Sequence, residues 1–225
     1  MKVYSAESKR ARKGAQQGFT LIEMIGVLAV IAILAAVLIP KVFEAINNAR
    51  VNNAAMSYNT VKTAIADHYA KFGSIAVDGS GATPVVLTPL PIPQFDQVLV
   101  KEQFLDKPFA TKIGDGITDA THTRVELVDI GAFKLNDAVG ATDATGFNLD
   151  GVVGTKNEEV GSVGVVAVIT GVTENDAHDL NTRIDGTSAT MGVAVGSGLD
   201  DTAGRVKYAK PTGGVTDVYI YVTHR

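Results

Sequence analysis

The chain has 225 residues, no cysteine, no tryptophan and a formal net charge of −4. The missing cysteines exclude a disulfide framework and a thiolate metal site, and the length allows one domain with an appendage or two small domains. The charge is split: Met1–Gly18 carries Lys2, Lys9, Arg10, Arg12 and Lys13 against Glu7, while the rest holds fifteen basic and twenty-three acidic side chains, a balance of −8, which disfavours nucleic-acid binding.

The first predicted element is a helix that starts where the basic leader stops. Residues Gly18–Glu23 read Gly-Phe-Thr-Leu-Ile-Glu and open an apolar run to Ile39. At 1.5 Å per residue, Phe19–Ile39 spans roughly 31 Å, the thickness of a bilayer core. Basic residues ahead of an apolar span stay on the cytoplasmic side, so the C-terminal portion is exported. Glu23 is the one charge in the run, and a carboxylate at that depth is costly, so it needs a reason. Gly26, Ala29, Ala32 and Ala36 recur at three- and four-residue spacing and form a stripe that a second helix can approach closely. Pro40 removes a backbone donor and bends or locally opens the helix where the apolar run ends. A secretory signal peptide and a simple anchor are the plain alternatives. The run is longer than an ordinary signal core, its glutamate has no use there, and the pattern after it continues as helix.

This junction resembles the N-terminal segment of type IV pilins and type II secretion pseudopilins. The resembling stretch is Gly18 to about Ala54, and cleavage site, glutamate, apolar length and proline position all agree. Many type IV pilins close a C-terminal loop with a disulfide, and this chain departs from them in having no cysteine. The resemblance implies that a prepilin peptidase removes Met1–Gly18 and that Phe19 becomes an N-methylated N-terminus. It implies that Thr20, Glu23 and Pro40 serve filament assembly, and that the proline marks a segment that melts during it. It also implies a helical homo-oligomer with other pilin-like subunits, an inner-membrane assembly platform, and a single-pass location in the bacterial inner membrane. The N-terminus is then cytoplasmic and the globular domain periplasmic, or extracellular in a filament.

After Lys41 the helix becomes amphipathic. Val42, Ala45, Ile46 and Ala49 share one face, and Tyr58, Val61, Ile65, Tyr69 and Phe72 form a second stripe that can lie on a sheet. Gly73 is a natural stop. Ser74–Pro93 is rich in glycine, serine and proline and reads as a surface connector. Gln94–Leu105 has helical spacing. Candidate strands are Thr123–Ile130, Val163–Thr170, Met191–Val195, Arg205–Ala209 and Val215–Thr223, with a helix over Glu174–Ile184 started by Thr173 and Asp176. The organisation is a leader (1–18), a long helix (19–73, with 19–39 in the membrane or filament core) and a β-rich globular domain (74–225). The fold class is α+β, the long helix lying half on a mostly antiparallel sheet and half protruding.

No catalytic signature stands out. His68, His122, His178 and His224 lack metal-ligand spacing, and His68 and His178 read as polar-face residues of helices. There is no P-loop and no nucleophile elbow. Asp200 and Asp201 follow Gly196-Ser197-Gly198-Leu199, and Asp115 and Asp119 lie in another glycine-rich turn. Such oxygen-rich loops suit calcium, and major pseudopilins resembling this chain often bind it in a C-terminal loop, though no fixed calcium spacing is met. The expectation is a structural filament subunit of a pilus or pseudopilus, not an enzyme. A scarce tip subunit, or a binding module on a pilin-like anchor, is the alternative.

Overall fold

The structure, a computed structural model, describes residues 18–114, 122–130, 133, 147, 162–186, 194–196 and 200–224. The leader before Gly18, the Asp115 and Asp119 turn, and most of the Met191–Val195 strand lie outside the described residues. The chain divides into two compact units, Met1–Glu44 and Ala45–Arg225. Helix α1, Leu21–Phe72, has 52 residues and belongs to both. Pro40 stands inside it without ending it.

In the second unit α1 turns one stripe inward: Val51, Ala54, Tyr58, Val61, Ala64, Ile65 and His68 are buried. Steps of three and four residues place them on one side of the helix. Burying each large apolar side chain stabilises by about 1.5–3 kcal/mol. Propensity differences among ordinary residues stay under about 0.7 kcal/mol, so packing fixes this part of the helix. The expected stripe holds for Tyr58, Val61 and Ile65, while Tyr69 is half-buried against the same core.

The stripe packs on a four-stranded antiparallel sheet of order β3-β4-β6-β5. Its strands are β3 (Thr123–Asp129), β4 (Val163–Thr173), β5 (Val206–Tyr208) and β6 (Val215–His224). A two-stranded hairpin, β1 (Val77–Asp78) with β2 (Val85–Val86), precedes them. Strand β4 is covered on both faces. Val165, Ala167 and Ile169 join the α1 core, and Val166 and Val168 join a second cluster with Val128, Ile130, Phe147 and Tyr221. Side chains alternate along a strand, so a strand buried on both faces reads as a continuous apolar run, as Val163–Ile169 does. The Tyr58 hydroxyl donates to the Tyr221 carbonyl at 2.9 Å and ties α1 to β6. Burial pushes that hydroxyl up to about 12.

Three strand expectations match closely, at Thr123, Val163 and Val215, and Arg205–Ala209 shortens to β5. Helix α3, Glu174–Asp185, starts as expected: Thr173 Oγ1 accepts the Asp176 N–H at 3.3 Å. Asp185 at its end accepts the Arg205 and Val206 N–H groups at 2.8 and 2.9 Å. Gly204 must be glycine there, because φ is +80° and a Cβ would stand 2.5 Å from the Asp185 carboxylate.

Two expectations change. The connector 74–93 is not featureless: it carries the β1–β2 hairpin, and Ile92 exchanges backbone hydrogen bonds with Leu127 at the edge of β3. Prolines exclude helix, but they do not exclude short pairing at an edge. The helix expected over Gln94–Leu105 is α2, Phe95–Lys101. It stops early because Glu102 turns into the core and Gln103 takes φ +65°.

Candidate assembly site

The first turn of α1 is closed by two residues, Thr20 and Glu23. Thr20 directly precedes the helix, and its Oγ1 accepts the Glu23 N–H at 3.3 Å. Glu23 Oε2 in return accepts the Thr20 N–H at 2.8 Å and the Thr20 hydroxyl at 2.7 Å. This is a capping box, Thr-x-x-Glu, in which cap and third helical residue satisfy each other's backbone donors. It starts the helix at Leu21, two residues after the expected Phe19. The sequence carries the signal for it, a threonine three residues before the glutamate. Among the described residues, Glu23 Oε1 takes no hydrogen bond.

Around this turn nothing is covered. Phe19 is 84 % exposed, and the large apolar residues from Leu21 to Ile39 all stay exposed. The most apolar 18-residue window has a mean hydropathy of 2.9, and none of it is buried. By length and composition this helix can cross a membrane. A bare apolar surface of this extent calls for lipid or for other helices. Gly18 and Gly26 have nothing within 4 Å of an added Cβ. Gly26, Ala29, Ala32 and Ala36 lie open on the helix.

The other expected residues fall elsewhere. Asp201 is fully buried: Oδ2 accepts from Asn181 Nδ2 at 2.5 Å, and Oδ1 accepts the Ala203 N–H at 3.3 Å. Burial, with the Asp201 charge adding to it, pushes the Tyr208 hydroxyl up. Asp200 Oδ1 accepts the Lys210 N–H at 2.6 Å. Among the described residues no three His, Asp or Glu side chains gather as a metal set.

His68 is not a polar-face residue. It is fully buried, with Nδ1 2.6 Å from Glu102 Oε2, and Phe72, Phe95 and Phe104 surround its ring at 4.9–5.9 Å. Glu102 Oε1 also accepts the Gly79 N–H at 2.5 Å. One carboxylate thus joins α1, α2 and the β1–β2 hairpin. Nothing in the spacing of a histidine and a glutamate 34 residues apart foretells their meeting.

The family model described as the prokaryotic N-terminal methylation motif matches residues 13–39. No solved structure matches the chain. The matched segment covers the end of the basic leader, the Gly18–Phe19 junction, the Thr20–Glu23 cap and the uncovered apolar helix. The chain therefore carries, in its N-terminal segment, the prepilin signature of type IV pilins and pseudopilins, which indicates a pilin-like or pseudopilin precursor.

Proposed function

We propose that the chain is a structural subunit of a type IV pilus-like or type II secretion pseudopilus filament. A prepilin peptidase cleaves it between Gly18 and Phe19, and Phe19 is then N-methylated. The subunit waits in the inner membrane with its acidic domain exported, and polymerises through α1. Its work is assembly rather than catalysis.

One observation carries this reading: a single carboxylate in the apolar stretch of α1 up to Ile39, a stretch that the described residues leave uncovered. Cleavage turns the Phe19 amide into an α-amine four residues before Glu23. In a staggered bundle that amine reaches Glu23 of a neighbouring copy. Oε2 can keep its Thr20 bonds while Oε1 receives the amine. The pairing offsets the cost of burying the charge, about 2.5–3.5 kcal/mol for comparable charged residues on insertion scales. It also sets axial register, because Thr20 is already bonded to its own Glu23 and the other side chains nearby are apolar and slide freely; a buried polar pair serves register better than raw stability. Small residues at Gly26, Ala29, Ala32 and Ala36 let the neighbouring helix come close.

Intact mass and N-terminal sequencing of the membrane-extracted protein test the first step. A methylated chain starting at Phe19 is expected, and a chain starting at Met1 ends the reading. Electron microscopy of sheared surface material tests the second, with filaments expected. Calcium at Asp200 and Asp201 is a subsidiary part of the proposal. Thermal unfolding with calcium and with chelator tests it, and an unchanged Tm at millimolar calcium leaves these residues to their hydrogen bonds alone.

A further inference from the structure

The second unit carries opposite charges on opposite flanks of α1. One flank is a groove of about 480 Å³ between α1 and the loop after α2, lined by Arg50, Asn53 and Ser57 from the helix and by Lys107, Thr111 and Lys112 from the loop. It brings three cations together and, among the described residues that line it, no carboxylate, with Asp106 on the adjoining surface beside Lys107, in a chain whose portion after the leader has a balance of −8. The other flank holds α3. Arg183 of α3 donates to Asn48 Oδ1 at 2.9 Å and to Asn52 Oδ1. At 100° per residue, Asn48 and Asn52 lie about 150° around α1 from Arg50, Asn53 and Ser57. The buried residues Val51, Ala54 and Tyr58 lie between the two sets.

The first two turns of α3 carry Glu174, Asp176 and Asp179 and no Lys or Arg, and Arg183, which follows on the same face, is engaged with Asn48 and Asn52. Glu174 is occupied by the Gly196 N–H. Asp176 and Asp179 are three apart and so share a face; Asp179 is exposed and Asp176 half-exposed. Among the described residues the ion pairs are Lys41–Glu44, His68–Glu102 and Arg124–Glu126. Neither flank is therefore neutralised by an ion pair within the described residues.

We propose that these flanks are the two halves of a head-to-tail contact: Asp176 and Asp179 on α3 of one copy face the Arg50–Lys107–Lys112 groove of the next. This rests on the filament reading above and names the surface through which the exported domains meet. Two different complementary patches on one chain make a heterologous contact, which propagates into a ring or an open filament rather than closing as a two-fold dimer. Like-charged domains brought together repel, and placing the groove against the acidic helix turns that repulsion into attraction. Each exposed pair is weak alone and screened by salt. Repeated at every subunit step, with α1 holding the copies together, the contacts accumulate.

The test is a charge swap in the full-length chain, read as the yield of sheared filaments beside the processed, membrane-bound pool. Arg50→Glu/Lys107→Glu/Lys112→Glu should lower the yield at least tenfold, and so should Asp176→Lys/Asp179→Lys. Combining both sets in one chain should restore most of it. Normal filaments from either reversed chain overturn the contact while leaving the filament reading standing, and so does a combined chain no better than its parents. A wild-type chain that is processed yet never polymerises overturns the filament reading and the contact with it. Should a reversed chain unfold, Lys107→Gln/Lys112→Gln and Asp179→Asn replace it; a yield reduced at least threefold supports the contact, and an unchanged yield overturns it.

Discussion

The two parts of α1 share a backbone geometry and differ in everything else. From Val51 onward one side of the helix is sealed against the sheet, with Val51 and Ala54 fully buried and Tyr58, Val61 and Ile65 nearly so. Before it, from Leu21 to Arg50, no residue is buried. The first part therefore draws little stability from its own chain, and the second draws most of its stability from it. A helix can be held by its own fold over one stretch and kept for other molecules over another. Substitutions should separate the two: those in the second part act on folding, and those in the first act on assembly.

The largest effect on folding is expected at the buried clasp. Glu102→Ala leaves His68 and the Gly79 N–H without their partner and should cost about 3–5 kcal/mol. In a domain of this size that is roughly 2–4 °C of Tm per kcal/mol, and it should be read together with loosening of the β1–β2 hairpin in hydrogen exchange. Ile65→Ala comes next, at about 2–5 kcal/mol for a deleted core side chain. Its counterpart Ile31→Ala, on the uncovered part, should leave the Tm unchanged. Equal losses from both would erase the distinction between the two parts.

A pH effect sharpens the same contrast. The Tyr58 hydroxyl ordinarily titrates near 10 and is pushed up to about 12 by burial. Its folded pKa is raised, so the protonated form is favoured by folding. That stability is whole below pH 10 and falls, by about 1.4 kcal/mol per pH unit, as pH rises from 10 to about 12. Tyr58→Phe should flatten this part of the stability curve, at a cost near 1 kcal/mol for the lost bond to the Tyr221 carbonyl. The smallest effect belongs to the cap. Thr20→Ala should cost about 0.5–2 kcal/mol of helix start, seen as faster exchange of the Leu21–Met24 amides in micelles, with no change in Tm.

How much of this the sequence disclosed follows from the range of the interactions. The apolar run, the Thr173 cap and the alternation of Tyr219 and Tyr221 are local patterns, and the elements they mark lie where they point. The inward stripe of α1 was legible for the same reason, since Tyr58, Val61 and Ile65 repeat at helical spacing. His68 was misread as a polar-face residue because its partner is Glu102 on another element. The early stop of α2 has the same origin: its apolar spacing runs on to Leu105, but Glu102 is drawn inward by His68 and Gly79. The hydrogen bond from Asn181 to the Asp201 carboxylate was not legible in the loop, because Asn181 is 20 residues away. At the assembly site the Thr20–Glu23 spacing was in plain view. Its local role was obscured by the more conspicuous question of why a carboxylate sits in an apolar helix.

The central claim is that Glu23, beyond capping the start of its own helix, serves contact between copies and not the packing of the second unit. Glu23→Val tests it most directly, by comparing the yield of sheared filaments with the membrane-bound pool of processed subunit and with the Tm of the extracted protein. Cleavage at Gly18, membrane retention and Tm should stay as in the wild type, while filaments fall at least tenfold, with Glu23→Gln intermediate at best. Normal filaments from Glu23→Val would contradict the account.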